Sequence, residues 1–335
     1  MYADYYNLSD IPFQLTPDNR FFFDSSVHSR AIAHLVYGLS QQEGFIIITG
    51  EVGAGKTTLV EQLWSRLDRQ AYVIARVVTT RVSGDDLLRL AAANFGLQDR
   101  KAQKSALLRG LEGVFREHRA AGRRCLLIVD EVQNLSFTAL EELRMLSNVT
   151  VDGQASLQTI LLGQPQFRRM LAGSELDQLR QRVLAAYHLG PLSETETRDY
   201  ILHRLRTVGW TGNPDFEDAA FSSVYRHSGG IPRRINTLCS RVLLYGALES
   251  STQITGKIVD DTAADLQRDL GTVTETPSRP RVTHDESGTI AVDLQVLAAR
   301  IQALEASVVR QERIFRRLLD LLSSFIEMHR HGDPR

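Results

Sequence analysis

Two cysteines and four lysines are all that a chain of 335 residues holds of these types. Cys125 and Cys239 fall in no metal-ligand or C-x-x-C spacing, so two reduced, buried thiols are expected. An excess of basic charge is also missing. Lys and Arg total 39 against 40 Asp and Glu, a formal net charge of -1, which excludes the strongly positive field of a dedicated nucleic-acid coat. The nine histidines form no ligand cluster. No apolar run approaches the roughly 20 residues a membrane helix needs. The opening "MYADYYNLSDIPF" lacks a basic stretch followed by an apolar one, so no secretory signal is expected. These absences lead to the expectation of a cytoplasmic protein, peripheral to the inner membrane at most and through partners.

What is present is the ordinary composition of a globular protein, 43% hydrophobic and 24% charged. Short runs rich in Ile, Val and Leu, "FIIIT", "AYVIARVV", "CLLIVDEV" and "LQTILLG", read as buried strands. Helical periodicity lies between them, near 56–67, 84–95, 102–121 and 136–148. Strands alternating with helices predict an α/β fold, a parallel sheet covered by helices on both faces. After "YHLGPLS" the strands stop. Ser193 with Glu196 three residues on makes a capping box, and helical patterns follow near 215–227, 231–249 and 255–269.

The predicted organisation is therefore an aromatic and proline-rich segment with a helix at 1–44, packed on an α/β core at 45–191. A small all-helical unit follows at 192–270. Residues 271–289 are polar, with two prolines, and read as a linker. Over 290–329 a seam in steps of three and four (Leu294, Leu297, Ile301, Leu304, Val308, Gln311, Phe315, Leu318, Leu322, Phe325) predicts a C-terminal coiled-coil helix that binds another helix.

The stretch "TGEVGAGKTT" fits G-x-x-x-x-G-K-[ST] at Gly50, Gly53, Gly55, Lys56 and Thr57. Such a loop must bring backbone N–H groups close to phosphate, so bulky side chains would obstruct it. The helix that follows aims its positive end at the anion. Residues Gly50, Glu51, Val52, Gly53, Ala54, Gly55, Lys56, Thr57 and Thr58 are thus the candidate cradle. Lys56 would reach the β- and γ-phosphates and Thr57 would ligate Mg²⁺. A strand precedes and a helix follows, as the motif requires. The apolar run "CLLIVDEV" ends in Asp130 and Glu131. A carboxylate at a strand tip holds Mg²⁺ through water, and the next one orients the attacking water. The reading places the two motifs on adjacent strands of one sheet, with ATP and Mg²⁺ as cofactors.

Three further features follow in order: Gln164 after "LQTILLG", Arg180 and Arg182 before a final strand, and Arg233 in "GGIPRRINTL". In this order the chain resembles the AAA+ ATPases, P-loop proteins of three layers with a helical lid, over about residues 25–270. The resemblance implies that Gln164 is the sensor-1 residue, that Arg182 or Arg180 is an arginine finger acting on a neighbouring subunit, and that Arg233 is the sensor-2 arginine. Sensor 1 is more often Asn, and Gln164 is longer by one methylene. The phrases "YYNLSDIPFQLTPDNRFFF", "LLIVDEVQNL", "ILLGQPQF" and "YHLGPLSETET" resemble the general secretion pathway protein A type of ATPase. Its branch at PEP-CTERM/exosortase and exopolysaccharide loci is the most similar in these phrases. That resemblance implies a homo-oligomer, ring or dimer, driving assembly or export of envelope components, with a protein partner on 290–329.

The bland alternatives are plain. The alternative for Arg180, Arg182, Arg233 and Arg234 is a solvated or salt-bridged surface in a composition poor in lysine, a reading that the two motifs weaken for Arg182 and Arg233. The N-terminal aromatics Tyr5, Tyr6, Phe13, Phe21, Phe22 and Phe23 read as packing against the ATPase core rather than as an adenine clamp, with Asp24 to His28 a candidate for lying near the base. A DNA-associated regulator, like the transposition helper ATPases, is the alternative function. Near-neutral charge and no evident basic arm or helix-turn-helix count against it. A small-molecule kinase is opposed by the paired Asp130–Glu131 and by the lid carrying Arg233.

Overall fold

The computed structural model describes residues 2–68, 70–78, 83–97, 103–151 and 153–269. The linker expected at 271–289 and the coiled coil expected at 290–329 lie outside them. Five strands form the main sheet: β1 (Phe45–Gly50), β2 (Tyr72–Val78), β3 (Arg124–Asp130), β4 (Leu157–Gly163) and β5 (Val183–Leu189). All are parallel, in the spatial order β2-β3-β4-β1-β5. Successive side chains on a strand point to opposite faces. Phe45 and Ile47 of β1 with Leu127 and Val129 of β3 enter one apolar layer, whereas Ile46, Ile48, Leu126 and Ile128 enter the other. Both faces are therefore apolar, which explains the uninterrupted hydrophobic runs.

One layer is completed by α1 (Ser26–Ser40) and α2 (Lys56–Arg66). The other is completed by α3 (Gly84–Asn94), α4 (Lys104–Ala120), α5 (Phe137–Leu146) and α6 (Pro165–Leu171). The starts of α1, α3 and α5 are set locally. The hydroxyls of Ser25, Ser83 and Ser136 accept the backbone N–H of His28, Asp86 and Ala139 at 3.3, 3.3 and 3.2 Å.

The expectation that the glycine loop and the acidic pair hang from adjacent strands is corrected. Strand β4 lies between β1 and β3 and pairs with both. Every residue of β4 is buried, as is every residue of β1, so both are interior strands, and their mutual pairing leaves β3 one strand further from β1.

After β5 come α7 (Glu194–Thr207), α8 (Asp218–Ser228), α9 (Pro232–Leu248) and α10 (Gly256–Asp269). The capping box of Ser193 and Glu196 opens α7. A two-residue parallel pairing of Asp215–Phe216 with Gln253–Ile254 ties the loops together. This unit has its own core, and here a second expectation is corrected. Tyr6, Leu8, Phe13 and Phe21 sit in that core with Ile201, Leu205, Ile235, Leu238 and Leu243, not against the sheet. The four helices leave an apolar seam that the N-terminal segment fills. Its backbone is pinned there, since the N–H of Ser9 donates to the Val208 carbonyl at 2.9 Å and Asn236 Nδ2 donates to the Gln14 carbonyl at 3.3 Å. Of the expected contacts with the core, Phe22 and Val27 do pack against the layer of α1 and α2.

Phe13 is 1% exposed. Phe13→Ala is expected to destabilise the helical unit by about 3–5 kcal/mol. Denaturant unfolding should show this as an early transition of the helices, with the sheet transition little changed. A stability equal to that of the parent protein would contradict the packing.

Candidate active site

The loop from Glu51 to Gly55 must turn the chain from β1 into α2. Gly53 and Gly55 have φ of +83° and +96°, where a Cβ is strained. Their neighbours demand glycine as well. A Cβ at Gly53 would lie 2.2 Å from the Arg233 Cβ, and one at Gly55 would lie 2.8 Å from His28 Nε2. At Gly50 it would meet the Leu189 carbonyl oxygen at 2.7 Å. The loop is thus gripped on three sides, by the lid helix, by α1 and by the end of β5. Ala54 is buried inside it, whereas Val52 is exposed.

Lys56 opens α2 and is 6% exposed. Its Nζ donates to the carbonyls of Gly50 and Glu51 at 2.9 and 3.0 Å. Burial pulls its ammonium below the usual lysine range, and the carboxylates of Glu131, Asp130 and Glu51 oppose that pull. Thr57 Oγ1 donates to Asp130 Oδ2 at 3.1 Å, across the gap between α2 and β3. The same Oδ2 accepts from Arg76 Nη2 at 3.2 Å, and Arg76 Nη1 reaches Glu61 at 3.4 Å.

Strand β3 stops at Asp130, and Glu131 turns away with φ of +56°. Its N–H donates to Asp130 Oδ1 at 2.9 Å. Its Oε2 accepts from Gln164 Nε2 at 3.0 Å and also from Gln133 Nε2. A cavity of about 370 Å³ opens in front of these groups. Val52, Gly53, Gly55, Lys56, Thr57, Thr58 and Glu131 line its floor; Phe21, Phe22, Phe23 and His28 line one wall; Leu192, Tyr200, Arg204 and Arg233 line the lid side. The Arg233 backbone N–H donates to the Gly53 carbonyl at 3.2 Å, so the start of α9 rests on the loop itself.

Lys56, Thr57, Asp130, Glu131, Gln164 and Arg233 are thus brought together, with Gly50 to Thr58 forming the cradle. Arg182 and Arg180 are not part of this group. Arg182 precedes β5 at the opposite edge of the sheet, where its carbonyl accepts the Phe45 N–H at 2.9 Å and its Nη1 donates to Ser147 Oγ at 3.2 Å. Arg180 pairs with Asp177 at 2.6 Å.

Sequence reasoning missed three residues. Gln133 stands in the quoted phrase "LLIVDEVQNL", where a polar side chain two residues after Glu131 was the available signal. Arg76 is the one charge in the apolar run "AYVIARVV", which was also a usable sign. Arg204 carried none. Its guanidinium, 5% exposed, lies between the rings of Phe21 and Tyr200 at 4.7 and 5.4 Å.

The donor set suits a triphosphate with Mg²⁺. It consists of a hydroxyl and a carboxylate oxygen 3.1 Å apart, a buried ammonium that donates to two backbone carbonyls, and a glycine loop with no room for a Cβ. Among the described residues no group of three or more His, Cys, Asp or Glu could hold a metal ion by itself.

The sheet order, the glycine cradle, the acidic strand tip and the helical lid define the P-loop ATPase fold of the AAA+ class. An AAA domain model matches residues 39–171. More particularly, the chain is similar to General secretion pathway protein A of Aeromonas hydrophila, 38% identical over 258 residues. That stretch covers 76% of this chain and 46% of the relative, so the chain spans less than half of its length. Among solved structures it resembles Cdc6p from Pyrobaculum aerophilum, with a TM-score of 0.59 and 15% identity over 74% of this chain and 71% of that one. It also resembles the Aeropyrum pernix ORC1 protein in complex with DNA, with a TM-score of 0.54 and 13% identity over 84% and 82% of the two chains. At such identities the likeness is one of fold.

Gly53→Ala must either displace α9 or strain the loop, and is expected to cost about 1–3 kcal/mol of stability. Urea unfolding measures it. An unchanged midpoint would show that the lid does not rest on the loop.

Proposed function

We propose that the protein hydrolyses ATP to ADP and phosphate. The observation that carries this reading is the 3.1 Å hydrogen bond from Thr57 to Asp130, with Lys56 and Glu131 on the same cavity. Lys56 and the loop N–H groups bind the phosphates, Thr57 and Asp130 hold Mg²⁺, and Gln164 and Arg233 contact the terminal phosphate. Bound Mg²⁺ supplies charge neutralisation at the phosphate oxygens. Glu131 orients the attacking water and accepts its proton as the new P–O bond forms and the bond to the ADP oxygen breaks.

Arg182 lies at the sheet edge away from its own cradle, which supports a finger acting on a second copy in a ring or dimer. The likeness to General secretion pathway protein A supports a secretion-related role; the finer proposal, assembly or export of envelope polysaccharide or secreted protein in an exosortase-type system, rests on the resemblance of the sequence phrases alone. Residues 290–329 would carry that action to a protein partner. Among the described residues no helix is long and apolar enough to cross a membrane, which suits a cytoplasmic ATPase held at the inner membrane by partners.

The shared fold with an ORC1 protein solved with DNA supports a second reading, a DNA-associated switch. Filter binding to duplex DNA at two salt concentrations separates the two: tight, salt-sensitive, ATP-dependent retention favours the second.

Lys56→Ala is expected to weaken ATP binding and abolish turnover. Glu131→Gln should bind ATP and lose roughly 10²–10⁴-fold in turnover. Phosphate release and equilibrium binding of labelled ATP measure both. Equal turnover in Glu131→Gln and the parent protein would remove Glu131 from the mechanism. Arg182→Ala should bind ATP without turnover and regain activity when mixed with Lys56→Ala. No recovery on mixing would overturn the finger acting between copies.

A further inference from the structure

Among the described residues, Gln133 has both ends of its amide engaged at the candidate site. Its Nε2 donates to Glu131 Oε2, and its Oε1 accepts the backbone N–H of Gln164 at 2.9 Å. Gln164 donates to the same Glu131 Oε2 from its own Nε2 at 3.0 Å. The three residues therefore form a closed ring of hydrogen bonds linking the end of β3 to the end of β4.

Gln133 is itself rigidly placed. It is the middle residue of a single helical turn, Val132–Asn134. Val132 is fully buried, and the N–H groups of Asn134 and Leu135 donate to the carbonyls of Glu131 and Val132 at 2.9 and 3.1 Å. An amide with a fixed backbone and a fixed carbonyl end has one direction left for its N–H, and that direction is the Glu131 carboxylate. Glu131 itself has a left-handed backbone conformation, and three rotatable bonds set its carboxylate, so its backbone alone does not aim it.

We propose that Gln133 is a positioning residue for the general base. It holds the Glu131 carboxylate toward the attacking water when Gln164 turns its amide to the terminal phosphate. This rests on the ATPase reading above. Two amides share one carboxylate oxygen before that event, and one remains after it. The backbone N–H of Gln164 keeps Gln133 oriented in both states, so the sensor side chain can change partner without releasing the base. A carboxylate misplaced by about 1 Å loses on the order of 10²-fold in rate.

The test is a double-mutant cycle on the full chain. Gln133→Leu keeps the volume and removes both hydrogen bonds. It is expected to lower kcat by roughly 10–100-fold, with KM and ATP affinity within about threefold of the parent protein. In the Glu131→Gln background the same substitution is expected to change turnover by less than about twofold, because it acts only through Glu131. Gln133→Glu, which keeps the shape and sets a carboxylate against a carboxylate, should lower kcat at least as far, and it carries the test if Gln133→Leu unfolds. Parent-like kcat in both folded variants overturns the proposal, as does a loss that multiplies fully with Glu131→Gln, which marks a merely structural role. If instead Glu131→Gln itself turns over normally, the underlying ATPase reading has failed, and that outcome is read before the cycle is closed.

Discussion

The parallel pairing of β4 with a neighbour on each side is the constraint on which the site depends. It fixes the register at Thr49 with Gly163 and at Val129 with Leu161. Because every strand runs the same way, Gly50, Asp130 and Gln164 all emerge at one edge: Gly50 and Gln164 follow the paired Thr49 and Gly163, and Asp130 follows Val129, whose partner Leu161 lies two residues earlier on β4. No side chain has to reach far. The hydrogen bonds among Thr57, Asp130, Glu131 and Gln164 are consequences of strand register, which is held by backbone pairing and by apolar burial on both faces.

Charge at this edge is arranged around a buried ammonium. Lys56 gives its protons to two carbonyls and lies near three carboxylates. Arg76 bridges Asp130 and Glu61, so the acidic strand tip already has a cation beside it. On the lid side Arg204 and Arg233 add positive charge, and among the described residues Arg204 has no carboxylate in ion-pair contact. A cavity with cations on floor and lid favours a polyanion. The lid is seated by backbone rather than by charge, through the Arg233 N–H on the Gly53 carbonyl.

Much of this was legible in the sequence, and the reasons are local. Strands buried on both faces must be uninterrupted apolar runs, and the phosphate loop needs glycine at fixed spacing because of its own backbone. Ser193 with Glu196 announces a helix start without reference to the rest of the chain. The position of β4 was not legible, since β1 and β4 are both fully buried runs and only their pairing shows which strand lies between the two motifs. Nor was the seating of Tyr6, Phe13 and Phe21, because the seam they fill is made by helices nearly two hundred residues later. Gln133 and Arg76 acquire meaning only through Gln164 and Asp130, partners distant in the chain. The sequence reading named Gln164 for its place after β4, and its contact with Glu131 could not be seen until the strands were aligned.

The first aromatic residues of the described chain are partners of its last helices. During synthesis Tyr6, Phe13 and Phe21 leave the ribosome long before Ile235, Leu243 and Val259 exist to cover them. At roughly 5–20 residues per second, that interval is on the order of ten seconds or more. The sheet can close meanwhile, from residues 45–189. The nascent protein thus passes through a period with a closed sheet, a glycine loop not yet seated by α9, and an uncovered aromatic segment to which holdase chaperones could attach.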